Sequence, residues 1–284
     1  MLACTAPLVP GELVIGEDIP AEFRYGTENS RLGDQVVWGP GGLLASAPGE
    51  GQVYWEEQPV DGPTKWLGWW GLRRVQADTS ELWVDGELVA TPDGLQAMTA
   101  GEVGVFGATR QRLFALEQGW SLPVAGVRRL ALGEERLLAV VCAPDCVGKA
   151  WTFSGEELGE VVAAGEGGDI AEWKGVAWAG TPAWKEGAAA GKVCSEEGIC
   201  LEGVLGDHLG AAIAGGYSLG MYNKEITPPR QRIVPLEGGT ILSLEQGLEL
   251  HRVDLTGDGQ NLIVGVPFLP HAGDPTGAVI RIIL

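Results

Sequence analysis

Asp254-Leu255-Thr256-Gly257-Asp258-Gly259-Gln260-Asn261-Leu262-Ile263-Val264-Gly265-Val266-Pro267, followed by Thr276-Gly277-Ala278-Val279-Ile280-Arg281-Ile282, sets an acidic, glycine-punctuated loop against two apolar runs. The first run ends in Gly-x-Pro and the second is opened by glycine. Both have the length and β-branched content of adjacent strands. Alternating Asp and Gly in a short loop can supply oxygen ligands to a hard cation such as calcium. The alternative is an empty tight turn held by Asp side chains accepting backbone N–H bonds.

The same two-run pattern recurs through the chain. Leu43 to Pro48 leads to Gly51-Gln52-Val53-Tyr54-Trp55, Leu137 to Pro144 leads to Gly148-Lys149-Ala150-Trp151, and Val176 to Pro182 leads to Gly191-Lys192-Val193-Cys194. Weaker copies stand at Leu88 to Pro92, at Ala212 to Ser218, and at Val103 to Gly107 with Arg112 to Leu116. Clear neighbours lie roughly 35–50 residues apart, the period of four-stranded blades. A lone hairpin is marginal in water, so the units must stack on one another and close into a ring. The expected fold is an all-β β-propeller occupying residues 11–284 as one domain, with seven blades of antiparallel strands and six or eight as the alternatives. The last run, Arg281-Ile282-Ile283-Leu284, would leave a sticky strand edge. The unpartnered run Glu12-Leu13-Val14-Ile15-Gly16 is the expected N-terminal strand that pairs with the last blade and closes the ring.

The quoted stretch resembles the FG-GAP repeat of integrin α-subunit β-propellers, most closely from Arg252 to Ile283. That resemblance implies an extracellular adhesion or scaffolding role. It also implies a weak calcium site built from Asp254, Thr256, Asp258, the carbonyl of Gln260, and Asn261. The loop departs from the pattern in being one residue short, in having Thr256 for an acid or amide, and in having a neutral Asn261 for the closing acid.

A formal charge of −19 repels a phosphate backbone, so nucleic acid is not an expected partner. Forty-five glycines and 17 prolines punctuate the chain, and no apolar run reaches the roughly 20 residues of a spanning helix. Cys142 with Cys146 and Cys194 with Cys200 are spaced for two local disulfides across short turns, with zinc as the rival use. Disulfides imply an oxidising compartment, hence a bacterial periplasm or cell surface, with few lysines and abundant Ala, Gly and Arg suiting a GC-rich bacterium. Met1-Leu2-Ala3-Cys4 resembles the end of a bacterial lipoprotein signal, which makes Cys4 a candidate lipid anchor and residues 1–10 its tether. That anchor is the sole membrane association expected.

Most of the tryptophans are expected between blades. Trp69 and Trp70, set between glycines, and Trp184, in a long turn, are candidates for stacking on a glycan. Gly216-Tyr217-Ser218-Leu219-Gly220 matches a nucleophile elbow, with Asp254, Asp258 and His271 downstream in the order a triad needs. Pro228-Pro229 occupies the place of the supporting helix. Gly187 to Lys192 falls one residue short of a phosphate loop and is followed by Val193 rather than Ser or Thr. His208, His251 and His271 are scattered singly. The expectation is a non-catalytic module binding a protein or glycan on one face, with a serine hydrolase at Ser218 or a lectin as alternatives.

Overall fold

The computed structural model describes residues 12–56, 58–183, 190–220, 231–244, 254–257, 261–266, 270–271 and 274–284. These residues form seven four-stranded antiparallel blades and contain no helix. Six blades are consecutive in sequence, spanning 36–60, 66–90, 95–122, 127–163, 170–202 and 212–244. The seventh combines Asp254–Gly257, Asn261–Val266 and Ala278–Ile283 with the N-terminal strand Ala21–Tyr25.

The ring follows from how the apolar runs are buried. The second strand of a blade has no solvent face, because neighbouring blades cover both sides. Leu137, Ala139 and Val141 pack toward Phe106 and Leu113 of the third blade, while Leu138 and Val140 pack toward Ile170 and Ala177 of the fifth. Likewise Leu262, Val264 and Val266 meet Leu219 and Ile233 of the sixth blade, and Ile263 meets Val36 and Ala45 of the first. Each fully buried Leu, Ile or Val contributes about 1.5–3 kcal/mol of transfer free energy. Among the described residues, seven such apolar clusters lie at the seven blade boundaries and cover the faces of the seven blades. The outer strand Glu157–Ala163 has mostly exposed or half-buried residues and lacks the continuous apolar run.

The repeat legible in the sequence is therefore the second and third strands of a blade: Gly42–Ala47 with Gln52–Trp55, Arg136–Cys142 with Cys146–Thr152, Val176–Thr181 with Lys192–Ser195, and Asn261–Val266 with Ala278–Ile283. Gly104–Thr109 with Leu113–Ala115 fits the same frame. Two weaker copies do not. Leu88 to Ala90 lies in the outer strand Glu87–Ala90, the true second and third strands of that blade being Arg73–Ala77 and Leu82–Val84. Ala212 to Ser218 covers the first and second strands of its blade.

Closure also differs from expectation. Ala21–Tyr25 pairs antiparallel with Ala278–Ile283, Ala21 opposite Ile282 and Tyr25 opposite Ala278. Leu13–Val14, which the sequence put in that role, adds instead as a fifth strand to the sixth blade, parallel to Leu242–Leu244. The reason is length and pattern: a two-residue parallel pairing covers little edge, whereas Ala21-Glu22-Phe23-Arg24-Tyr25 alternates apolar and polar side chains as a one-face-buried edge strand does. The N-terminal segment thus holds two adjacent blades.

Both cysteine pairs are disulfide-bonded. Cys142 and Cys146 lie directly opposite each other across the hairpin of the fourth blade, as do Cys194 and Cys200 between the third and fourth strands of the fifth.

Candidate functional site

Because the strands of a blade alternate in direction, every inner strand starts on the face that also carries the turns between second and third strands. This loop face opens into a central cavity of about 390 Å³ whose wall draws on all seven inner strands, from Val37 through Thr99 and Ala171 to Thr256.

An inner strand exposes an unpaired edge, and its N–H groups need acceptors. Side chains of the preceding blade's inner region supply them. Gln35 Oε1 accepts the Leu67 N–H at 2.7 Å, Asp169 Oδ2 accepts that of Ile213 at 2.9 Å, and Thr256 Oγ1 accepts that of Trp38 at 3.2 Å. The residue Asp169 is partly exposed, but its carboxyl is tucked into the channel wall. Burial pushes that carboxyl above its ordinary range, against the pull of Arg129 and of the Ile213 and Ile170 N–H groups. These polar groups act as latches between blades.

Beside the channel mouth, on the loop face of blades two to four, lies a groove of about 900 Å³. Among the described residues Lys65, Arg110, Arg112 and Arg128 line it, with Asp93 as the one acid and Thr79, Gln96, Thr109 and Gln111 as further polar groups. Arg128 also lines the central cavity, as does Arg129, so the two concavities share a wall. All five cations are exposed. Lys65 Nζ sits 4.3 Å from the centroid of Trp66. Next to the groove, burial pushes the Asp78 carboxyl up, but the Ser80 and Glu81 N–H groups, the Ser80 hydroxyl and the charge of Lys65 together hold it below its ordinary range.

Several of the acids have structural roles. In four blades a carboxylate just beyond the third strand accepts the N–H of the second residue of the second strand: Glu56 for Leu43 at 2.8 Å, Asp85 for Arg74 at 2.8 Å, Glu117 for Val105 at 2.7 Å and Glu196 for Ala177 at 3.0 Å. Between blades four and five, Arg136 donates Nε to Glu172 at 2.6 Å and Nη1 and Nη2 to Glu196 at 3.0 and 2.6 Å.

The residues singled out in the sequence fall as follows. Cys4, Trp184, Asp258 and Gln260 lie outside the described residues, as does His251. Asp254 is placed on the inner strand of the seventh blade, opposite Gly265, and His271 in a short strand pair with Asp274. Thr256 serves as the latch to Trp38, and Asn261 Oδ1 accepts Arg281 Nε at 3.1 Å, so these two of the five expected calcium ligands have protein partners. Trp69 is not an exposed platform: it is 4% exposed, packs on Gly39 and Gly41, and donates Nε1 to the Gly42 carbonyl at 3.1 Å. Trp70 is half-buried, with the Arg73 guanidinium 4.7 Å from its ring. Trp55, at 43%, is the most exposed tryptophan among the described residues.

Ser218 does not sit on an elbow. It lies mid-strand between Ile213 and Val234, fully buried, and its Oγ has no hydrogen-bond partner among the described residues. A nucleophile needs access to substrate and a base within hydrogen-bond reach. The Gly-x-Ser-x-Gly match is the second strand of a blade entered through a glycine hairpin.

The groove cations went unnoticed in the sequence because net charge hides local sign. The signals were Arg110-Gln111-Arg112 and Arg128-Arg129, two basic clusters in a chain with 19 Lys and Arg against 38 Asp and Glu.

No protein-family model matches the sequence, nor does any curated protein. Solved structures do match. The computationally designed Ika8 protein is similar over 96% of this chain and 100% of its own, with TM-score 0.51 and 12% identity. BamB from Moraxella catarrhalis is similar over 93% and 98%, with TM-score 0.51 and 12% identity. A chain from a Saccharomyces cerevisiae assembly, of a Dbp5 variant bound to Nup159, a Gle1 variant, IP6 and ADP, matches over 96% and 100% with TM-score 0.50 and 8% identity. At these identities the likeness concerns the fold, which is that of a β-propeller.

Proposed function

We propose that this chain is a non-catalytic, extracytoplasmic binding or scaffolding module that takes a protein or glycan ligand on its loop face, as an adhesion propeller of the FG-GAP kind would. The observation that carries this reading is the continuous polar concavity formed by the channel mouth and the groove, with Arg128 common to both. Ligand sites in closed repeat folds collect where loops surround a channel, and this one is lined by polar side chains, the cations Lys65, Arg110, Arg112 and Arg128 in the groove and the carboxylates of Asp34, Asp169 and Glu172 in the channel. Two disulfides support an oxidising compartment, and Cys4 would serve as the lipid attachment of a short tether. Calcium held by Asp254, Thr256, Asp258, Gln260 and Asn261 would be a local brace. Thermal unfolding with calcium and with chelator tests it, an unchanged midpoint rejecting it.

The test of the binding reading is steric. In a Cys4→Ser background, a polymer is attached through a cysteine introduced at Thr79 on the loop face or at Ser154 on the opposite face, and each protein is applied to protein and glycan arrays. Loss of binding with the Thr79 adduct alone supports the reading. Loss with the Ser154 adduct alone, or with neither, overturns it. Fluorophosphonate labelling addresses catalysis: none is expected, and labelling abolished by Ser218→Ala would restore the hydrolase alternative.

A further inference from the structure

We infer that the groove of blades two to four is a receptor for an acidic peptide segment, a short Asp- or Glu-rich stretch of a partner protein. This rests on the loop face being the ligand face and names the chemistry of what binds there.

The first ground is the pairing of charge. In a chain with 38 acids and 19 cations, a Lys or Arg has carboxylates within easy reach, and Arg31, Arg73, Arg136, Lys149, Lys174 and Arg232 each have one as a partner. Lys65, Arg110, Arg112, Arg128 and Arg129 form no ion pair among the described residues, although they stand together on one face. Among the described residues, the Arg112 guanidinium donates to Ser121 Oγ, at 3.4 Å. Against four cations the described groove lining holds one carboxylate, Asp93, and although Asp78 and Asp169 act on Lys65 and Arg129, positive charge stays in excess there, so an anionic ligand relieves the remaining repulsion.

The second ground is the lining. Guanidinium groups bind carboxylates through two parallel hydrogen bonds, and three of the four groove cations are arginine. The groove carries no aromatic ring among its lining residues, so it lacks the stacking surface that sugars and bases use. Its volume of about 900 Å³ lies at the upper end of the roughly 300–1,000 Å³ usual for small-ligand sites. That is room for a few extended residues.

The third ground is the setting. A long polyanion would run from the groove onto a molecule of net charge −19 and be repelled there. A short acidic segment confines its charge to the groove, and the surrounding field disfavours anything longer.

The test uses the full chain and fluorescein-labelled hexaglutamate, read by fluorescence anisotropy, with hexalysine, hexagalacturonate and a six-nucleotide single strand as competitors. The groove variant carries Arg110→Gln, Arg112→Gln and Arg128→Gln, and a control variant carries Arg73→Gln and Lys149→Gln. Thermal melting verifies that both fold. Saturable binding is expected for the unmodified chain and the control. It should be weaker by about tenfold or more in the groove variant, and by a similar factor between about 50 and 300 mM NaCl. No binding of hexaglutamate at low salt, or equal binding to the groove variant, overturns the inference. So does tighter binding of hexagalacturonate or the oligonucleotide through the same arginines. Self-association in sedimentation that the groove variant abolishes, with no hexaglutamate binding, would give the groove to a second copy of this chain and also overturn it. If the Thr79 adduct still blocks array binding while hexaglutamate fails, only this inference is lost. If neither has any effect, the loop-face reading falls with it.

Discussion

Gly180, in the second strand of the fifth blade, is in backbone contact with Gly210, at the entrance to the sixth: a Cβ on Gly210 would lie 2.6 Å from the Gly180 Cα, and one on Gly180 would overlap the Gly210 carbonyl oxygen. The same contact recurs between Gly265 of the seventh blade and Gly33, which leads into the first; a Cβ on Gly33 would lie 3.0 Å from the Gly265 Cα. The glycine of the Gly-x-Pro run is therefore what lets the next blade's leading segment approach.

Gly180→Ala and Gly265→Ala are each expected to cost about 3 kcal/mol, since the obstacle is backbone that cannot rotate away. Gly51→Ala serves as the control. Its Cβ would meet nothing within 4 Å, so only its left-handed conformation opposes it, at about 1 kcal/mol. Urea unfolding measures all three, and equal losses would show that the Gly–Gly contacts are not special.

The two clasps of the N-terminal segment separate by truncation. Removing residues 1–16 takes away the two-residue parallel strand on the sixth blade and is expected to leave a closed, cooperatively unfolding ring. Removing residues 1–25 also takes Ala21–Tyr25 and bares the edge of Ala278–Ile283. The longer deletion should then be protease-sensitive and prone to associate through that edge. Limited proteolysis and size-exclusion chromatography of the two deletions decide the matter.

Arg136 joins two blades through Glu172 and Glu196, with side-chain exposures of 18%, 5% and 23%. Arg136→Ala leaves both acids without their counter-charge and is expected to cost about 2–3 kcal/mol, below the roughly 3–5 of a fully buried pair. The hydrogen bonds from Arg136, reinforced by the Ala177 N–H against the effect of burial, hold the Glu196 carboxyl below its ordinary 4.5. A depressed carboxyl contributes stability that is full above the ordinary value and fades as pH falls through the folded one. The gap between Arg136→Ala and the unmodified chain should therefore narrow below pH 4.5, as read from urea midpoints.

Asp169 has the opposite sign. Burial raises its carboxyl above the ordinary 3.8, so the folded chain takes up a proton between that value and the raised one, and stability falls as pH rises through this window. Asp169→Asn keeps an oxygen for the Ile213 N–H and removes the buried charge. The variant should melt above the unmodified chain at neutral pH and at the same temperature once both are below pH 3.8. A lower melting temperature at neutral pH would mean that attraction to Arg129 outweighs burial.

How much was legible follows strand by strand. Runs such as Leu137 to Val141 are apolar at every position because two blades cover them, and such runs stand out in a sequence. Ala21–Tyr25, the strand that closes the ring, has one buried side and a polar alternate. It looks like many surface segments, and the more apolar Leu13-Val14 drew attention away from it. Gly216 to Gly220 carried a catalytic pattern because glycines in a blade hairpin and glycines in a nucleophile elbow have the same spacing. Only burial separates them.

Period, apolarity and glycine placement were enough to specify a ring of antiparallel blades and to favour seven over six or eight, because those properties act between residues close in sequence and repeat with each blade. The cysteine spacing likewise contained both disulfides. Tertiary structure alone decided which strand completes the ring, which acids hold hairpins together, and that Lys65, Arg110, Arg112 and Arg128 share a groove. These depend on residues brought together from different blades, where distance along the chain carries no information about distance in space and a net charge of −19 says nothing about where the positive charges gather.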